Sequence, residues 1–202
     1  MSLIEYSQRL SKAIESIDSK SISKLTEEIV RRIDGQGEIH LIGNGGSAAN
    51  AHHIVGDFSK TFCVLEKRLR INCLSDNGCF ITAASNDLDF SSVYEILINT
   101  RIQKNDLIIF LSGSGNSMNL VKAARKAALV GIKTASITGF SGGALKQIVD
   151  IPIHVNINDM EMAEDSQMII FHYIKQKLVS NKDNNFEKLS KYNKRISDNL
   201  IA

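Results

Sequence analysis

Five consecutive apolar residues, Leu107 to Leu111 (LIIFL), run straight into Ser112-Gly113-Ser114-Gly115-Asn116-Ser117. A strand with one wet face alternates apolar and polar side chains. An unbroken apolar run this short reads as a strand covered on both faces. Such strands belong to parallel sheets, whose neighbours must be joined by crossover segments, usually helices. The rest of the chain supplies them. Short apolar strands are expected at 38–42, 69–74, 133–137 and 151–155. Helices are expected at 47–62, from 117 to about 129, at 144–149 and at 159–178, with a helical or irregular segment reaching Ala83 and Ala84. The pattern predicts an α/β fold: a parallel five-stranded sheet flanked by helices, a flavodoxin-like three-layer sandwich.

Ahead of this core, residues 1–37 read as a pair of amphipathic helices. Leu3, Tyr6, Leu10, Ala13 and Ile14 form one face and Ile22, Leu25, Ile29, Val30 and Ile33 another, with Ser19 or Ser21 as the cap between them. Such a pair has little to bury itself against in a monomer, so oligomerisation is expected. The core spans 38–180. A polar extension, 181–202, carries a helix-like stretch at 186–196.

With 202 residues the chain fits one domain. A net charge of +2 spread along the sequence offers no basic face for nucleic acid. No apolar run reaches the roughly 18 residues of a membrane span, and Glu5 interrupts what a signal sequence would need at the N-terminus. Cys63, Cys73 and Cys79 have neither metal-ligand nor redox spacing, which fits reduced thiols and a cytoplasmic protein.

Two strand-end loops carry the functional signal. Gly43-Asn44-Gly45-Gly46-Ser47 leads from a strand into a helix, whose first N–H groups and dipole make a ready anion site. Alone, it could equally be a tight turn with an N-capping serine. The second loop repeats the arrangement with three hydroxyls. Ser117 could cap its helix, but that leaves Ser112 and Ser114 without a structural task. Neither loop matches G-x-x-x-x-G-K-[ST] or the dinucleotide G-x-G-x-x-G pattern, so a terminal phosphate on a small metabolite fits best.

Proton-transfer chemistry has candidates on two helices. His53 and Asp57 are four apart and share a face. Glu164, Asp165 and His172 lie on the last helix. Eight residues put Glu164 about 80° from His172, so Asp165 is the better aligned. Each has a bland reading too: an i,i+4 surface pair, or a core histidine among Ile and Phe.

IGNGGSAANAHH followed by FLSGSGNSMNLVKAA resembles the SIS (sugar isomerase) domain, and the combination resembles its phosphoheptose isomerase branch. The likeness covers the core and the N-terminal pair but not the tail. It implies an aldose–ketose isomerase acting on sedoheptulose 7-phosphate to give D-glycero-D-manno-heptose 7-phosphate, for lipopolysaccharide or capsule heptose synthesis. It implies a homotetramer with active sites at subunit interfaces, with no nucleic acid or membrane partner. By similarity, Ser47, Ser112, Ser114 and Ser117 hold the phosphate and Asn44 and Asp87 contact sugar hydroxyls, with Gly45, Gly46, Gly113 and Glu164 also in the substrate-binding set. Asp57 becomes the base and His172 the acid. His53, Asp57, Glu164 and His172 become ligands for one Zn²⁺ per site. Four positions depart from the family. Gly113 stands for Thr, Asp57 for Glu and Glu164 for Gln, and Lys60 is the nearest cation where an Arg is common. The extra charge of Glu164 is expected to strengthen metal binding. His52 points to another helix face and reads as structural or interfacial. Two further readings stay open: a related isomerase of another phosphorylated sugar, and a non-catalytic SIS protein that binds a replication initiator.

Overall fold

The apolar run at 107–111 forms the middle of the sheet. A computed structural model describes residues 1–35, 37–180 and 194. In chain order its helices and strands are α1 (Leu3–Glu15), α2 (Ser19–Asp34), β1 (Ile39–Ile42), α3 (Gly45–Val64), β2 (Ile71–Cys73), α4 (Gly78–Asp87), α5 (Val93–Arg101), β3 (Leu107–Ser112), α6 (Met118–Leu129), β4 (Lys133–Thr138), α7 (Leu145–Ile148), β5 (Ile151–His154) and α8 (Met160–Ser180). The strands are all parallel, in the order β2-β1-β3-β4-β5. Every residue of β3 is buried, the consequence of helices on both faces. The expected tail helix at 186–196, Lys194 apart, lies outside the described residues.

Two apolar layers sandwich the sheet. Leu41, Leu107, Ile109 and Leu111 face a layer built from α1, α2, α3 and α8. Ile42, Ile108 and Phe110 face the layer built from α4, α5, α6 and α7. Here the N-terminal helices depart from expectation. Leu25 and Ile29 of α2 are fully buried in the first layer, against α8 and the sheet. The pair therefore does find a partner within its own chain, although Leu3 and Ile4 on the outer side of α1 and Val30 of α2 stay exposed. The cap of α2 also differs. Asp18, not Ser19 or Ser21, accepts from the N–H groups of Lys20 and Ser21, a task its short carboxylate performs as well as a hydroxyl.

The strand order decides where a ligand can sit. β1 and β3 are neighbours, paired from Ile39 opposite Leu107 to Ile42 opposite Phe110. Chain order reverses between them, so the connections leave to opposite faces and open a crevice at the C-terminal strand ends. The Ser/Gly loops follow these two strands.

Candidate active site

A cavity of about 220 Å³ opens at that crevice, lined by Asn44, Gly45, Gly46, Ser47, Ser112, Gly113, Ser114, Ser117 and Glu164, with Leu111, Leu120 and Met160. The helix α3 starts at Gly45, and its N-cap residue Asn44 makes no side-chain capping bond. The first N–H groups of α3 thus remain for a ligand. Ser117 occupies the N-cap of α6 but likewise spends no hydroxyl on the helix. Ser112 Oγ accepts from the N–H of Gly115 at 3.0 Å, and Ser114 Oγ accepts from that of Asn116 at 3.2 Å. A hydroxyl that accepts keeps its own hydrogen to donate, so both shape the loop and remain donors toward an anion. Gly115 holds φ +69°, and a Cβ there would meet the Gly142 carbonyl at 2.0 Å, so the loop's path requires glycine. A Cβ on Gly113 would meet Met160 Sδ at 2.2 Å. The thioether fills the space that a larger residue at 113 would take.

Asn44 does something the sequence did not foretell. Its side-chain amide pairs reciprocally with that of Asn119, Nδ2 to Oδ1 at 2.9 Å in one direction and 3.0 Å in the other. Asn119 is buried on α6. The pair ties the loop after β1 to the helix after β3, and it leaves Asn44 in the cavity wall with one further N–H. Asp87 lies at the end of α4, exposed, accepting from Asn86, and is not among the residues lining the cavity.

Helices α3 and α8 run side by side in the same direction, which their cross-contacts establish. Ser47 Oγ accepts from Gln167 Nε2 at 3.1 Å and lies 3.5 Å from Glu164 Oε1. Asn50 donates to the Glu164 carbonyl and to Gln167 Oε1. Further along, His53 and Asp57 meet His172. One donor atom from each lies within 4.8 Å of the others; the two imidazoles stand edge to face at 5.7 Å, and His172 Nε2 is 4.0 Å from Asp57 Oδ2. Two imidazoles and a carboxylate at this spacing suit Zn²⁺ with an open fourth position.

Glu164 is not in that cluster. Eight residues of α8 amount to about 12 Å of rise, which leaves Glu164 two turns back, its carboxylate against Gly46 and near Ser47. Its charge therefore falls at the serine cleft and not on the three donors, contrary to expectation. Asp165, the better aligned on a helical wheel, instead accepts from the Tyr6 hydroxyl at 2.6 Å and pins α1 to α8. That contact pushes the Tyr6 phenol up to about 12.

Asp57 has a further partner, Lys175, whose ammonium donates to Oδ2, while Lys60 lies 3.8 Å from Oδ1. Burial alone would raise the Asp57 carboxyl; the Lys175 hydrogen bond and charge, with Lys60 and His172, outweigh it and hold the group below the usual carboxylate range. His52 turns away toward Ser75, 3.5 Å off. Asn119, Gln167 and Lys175 went unread in the sequence. The signal for the latter two was helical spacing: Gln167 follows Glu164 by three and Lys175 follows His172 by three.

The profile of the SIS domain matches residues 3–139. The chain belongs to the SIS domain family. The probable phosphoheptose isomerase of Thermoplasma volcanium is 32% identical over 174 residues, 86% of this chain and 89% of that one. The phosphoheptose isomerase of Helicobacter pylori strain Shi470 is 29% identical over 85% of this chain and 88% of its own. Among solved structures, a phosphoheptose isomerase from Francisella tularensis matches with a TM-score of 0.79 at 23% identity, over 85% of this chain and 91% of that one. The corresponding enzyme of Neisseria gonorrhoeae matches with a TM-score of 0.77 at 23% identity, over 85% and 92%. This SIS-domain chain thus sits in the phosphoheptose isomerase branch, with relatives that match it along most of their length.

Proposed function

We propose that the chain is a phosphoheptose isomerase interconverting sedoheptulose 7-phosphate and D-glycero-D-manno-heptose 7-phosphate. The observation that carries this reading is the α3–α8 seam. It has an anion cleft at its start and a His53/Asp57/His172 cluster two turns on, a separation on the scale of an extended heptose phosphate. The phosphate binds through the hydroxyls of Ser47, Ser112, Ser114 and Ser117 and the backbone N–H groups opening α3. The carbon chain then lies along the seam. Asp57, held ionised, takes the proton from the carbon beside the carbonyl and returns it to the neighbouring carbon. His172 gives and takes a proton at the oxygens. The 4.0 Å gap between the two groups is of the kind that closes once substrate is bound. Zinc held by His53, Asp57 and His172 would supply a Lewis acid that polarises the substrate carbonyl.

The proposed assembly is a homotetramer with interfacial sites. The exposure of His53, His172 and Asp87 and of the outer face of α1 supports it. The proposed setting is the cytoplasm, in heptose supply for lipopolysaccharide or capsule. The free cysteines agree with that, and no described helix is long and apolar enough to cross a membrane.

The test is turnover of sedoheptulose 7-phosphate by metal-loaded protein. No turnover, with Asp57→Asn no different from wild type, overturns the reading. Glu164 in place of Gln and Asp57 in place of Glu favour one other reading, an isomerase of a different phosphorylated sugar. A panel of C5 to C7 sugar phosphates separates the two.

A further inference from the structure

Lys175 belongs to no motif of the sequence, yet its ammonium sits directly on Asp57. It donates to Oδ2, the carboxylate oxygen that also faces His172 Nε2. The Asp57 side chain is only 14% exposed and that of Lys175 21%, so the pair is half enclosed and not a solvated surface bridge. Helix α3 contributes two of the donors and an ammonium, and α8 one donor and an ammonium. On α3, Lys60 follows Asp57 by three; on α8, Lys175 follows His172 by three, so each ammonium lies on the ligand-bearing face.

The same oxygen is therefore wanted twice, by Lys175 and by any cation gathered by His53, Asp57 and His172. Two cations on one carboxylate a few ångströms apart repel, and the ammonium already satisfies the charge a metal would seek. We propose that Lys175 is a competing counter-ion, which holds Asp57 in the metal-free protein and leaves it when a divalent cation enters the three-donor cluster. The proposal rests on the zinc reading above. Lys175 is equipped to leave, with a four-carbon stem beside solvent, so its head can swing outward without repacking the helix. Its exchange keeps the charge on Asp57 balanced in both states. It also holds metal affinity below what two imidazoles and a free carboxylate would give. Glu164, whose charge could have offset the ammoniums, lies two turns away at the cleft. Lys175 is thus a positioning residue, acting on the metal only through Asp57.

Calorimetric titration of Zn²⁺ into the full chain tests this, with Co²⁺ absorption reporting the ligand set. Lys175→Met is expected to bind roughly tenfold or more tightly than wild type with an unchanged Co²⁺ spectrum, while Lys175→Arg, which keeps the cation, stays near wild type. Lys175→Gln repeats the measurement should the Met variant fold poorly. Equal or weaker affinity in the neutral variants overturns the role of Lys175 and leaves the zinc site standing. No binding by any variant, or binding undiminished in His53→Ala/His172→Ala, overturns the zinc reading and the proposal together.

Discussion

The two ends of the α3–α8 seam are built on opposite principles. At the serine cleft the donors are backbone N–H groups and short hydroxyls, braced by Gly115 and by the half-buried amide pair of Asn44 and Asn119. Two turns away the groups are side chains only: two exposed imidazoles and a carboxylate wrapped by lysines. Each end also carries a charge from α8 that its ligand must meet, a carboxylate at the anion cleft and an ammonium at the cation cluster. The first end is fixed by the course of the chain, so under the proposed function it would read a phosphate whatever the sugar. The second can be retuned by exchanging single side chains; of the four departures from the family, Asp57 and Lys60 lie there, while Gly113 and Glu164 lie at the cleft.

The sharpest way to break the comparison is Asp57→Asn. Removing the base is expected to lower kcat by about 10²–10⁴-fold while inhibition by inorganic phosphate stays unchanged; steady-state kinetics with phosphate as a competitor reads both. A parallel loss of phosphate affinity would mean that the ends are not separable. Ser117→Ala probes the other end. Loss of one hydrogen bond to a charged group is expected to raise KM on the order of tenfold with kcat little altered. The melting temperature should hold, because the hydroxyl makes no capping bond. Glu164→Gln acts in the opposite direction. It removes a like charge beside the incoming phosphate and is expected to lower KM by roughly threefold to tenfold, about 1 kcal/mol; a raised KM would give Glu164 an attractive role at the sugar instead.

The smallest effect lies away from the seam. His40 is buried at β1, with Nε2 3.3 Å from Asp106 and Nδ1 without a partner among the described residues. Burial holds its imidazole below the ordinary histidine value, against the pull of Asp106. Its contribution to stability is therefore complete above about pH 6.5 and is lost as pH falls further, since the unfolded chain takes the proton first. Thermal melts across this range are expected to flatten in His40→Gln but not in Glu164→Gln or Lys175→Met.

The sequence made the strands and both loops legible because those signals are local: LIIFL has no wet face, and glycine beside serine at a strand end has few other uses. It could not show that β1 and β3 are neighbours, because strand order is settled by packing between distant segments. Yet that adjacency merges two loops into one cleft. The helical wheel gave Glu164 and Asp165 their angles but not their level along α3, and level decided the matter. Glu164 meets Ser47, Asp165 meets Tyr6, and of the three candidates on α8 His172 alone reaches Asp57. The burial of Leu25 and Ile29 was equally hidden, since amphipathicity marks a face to be covered without naming what covers it.

The amide pair between Asn44 and Asn119 has a consequence for how such a site diversifies. It rivets the two sides of the serine cleft across the strand crossover, so neither loop can drift without stranding the buried Asn119 amide. On the α8 side of the cleft, Met160 and Glu164 lie outside the rivet and can be exchanged without disturbing it. Under the proposed function, one fixed handle with one exchangeable wall would allow new sugars to be tried while the grip on their phosphate stays the same.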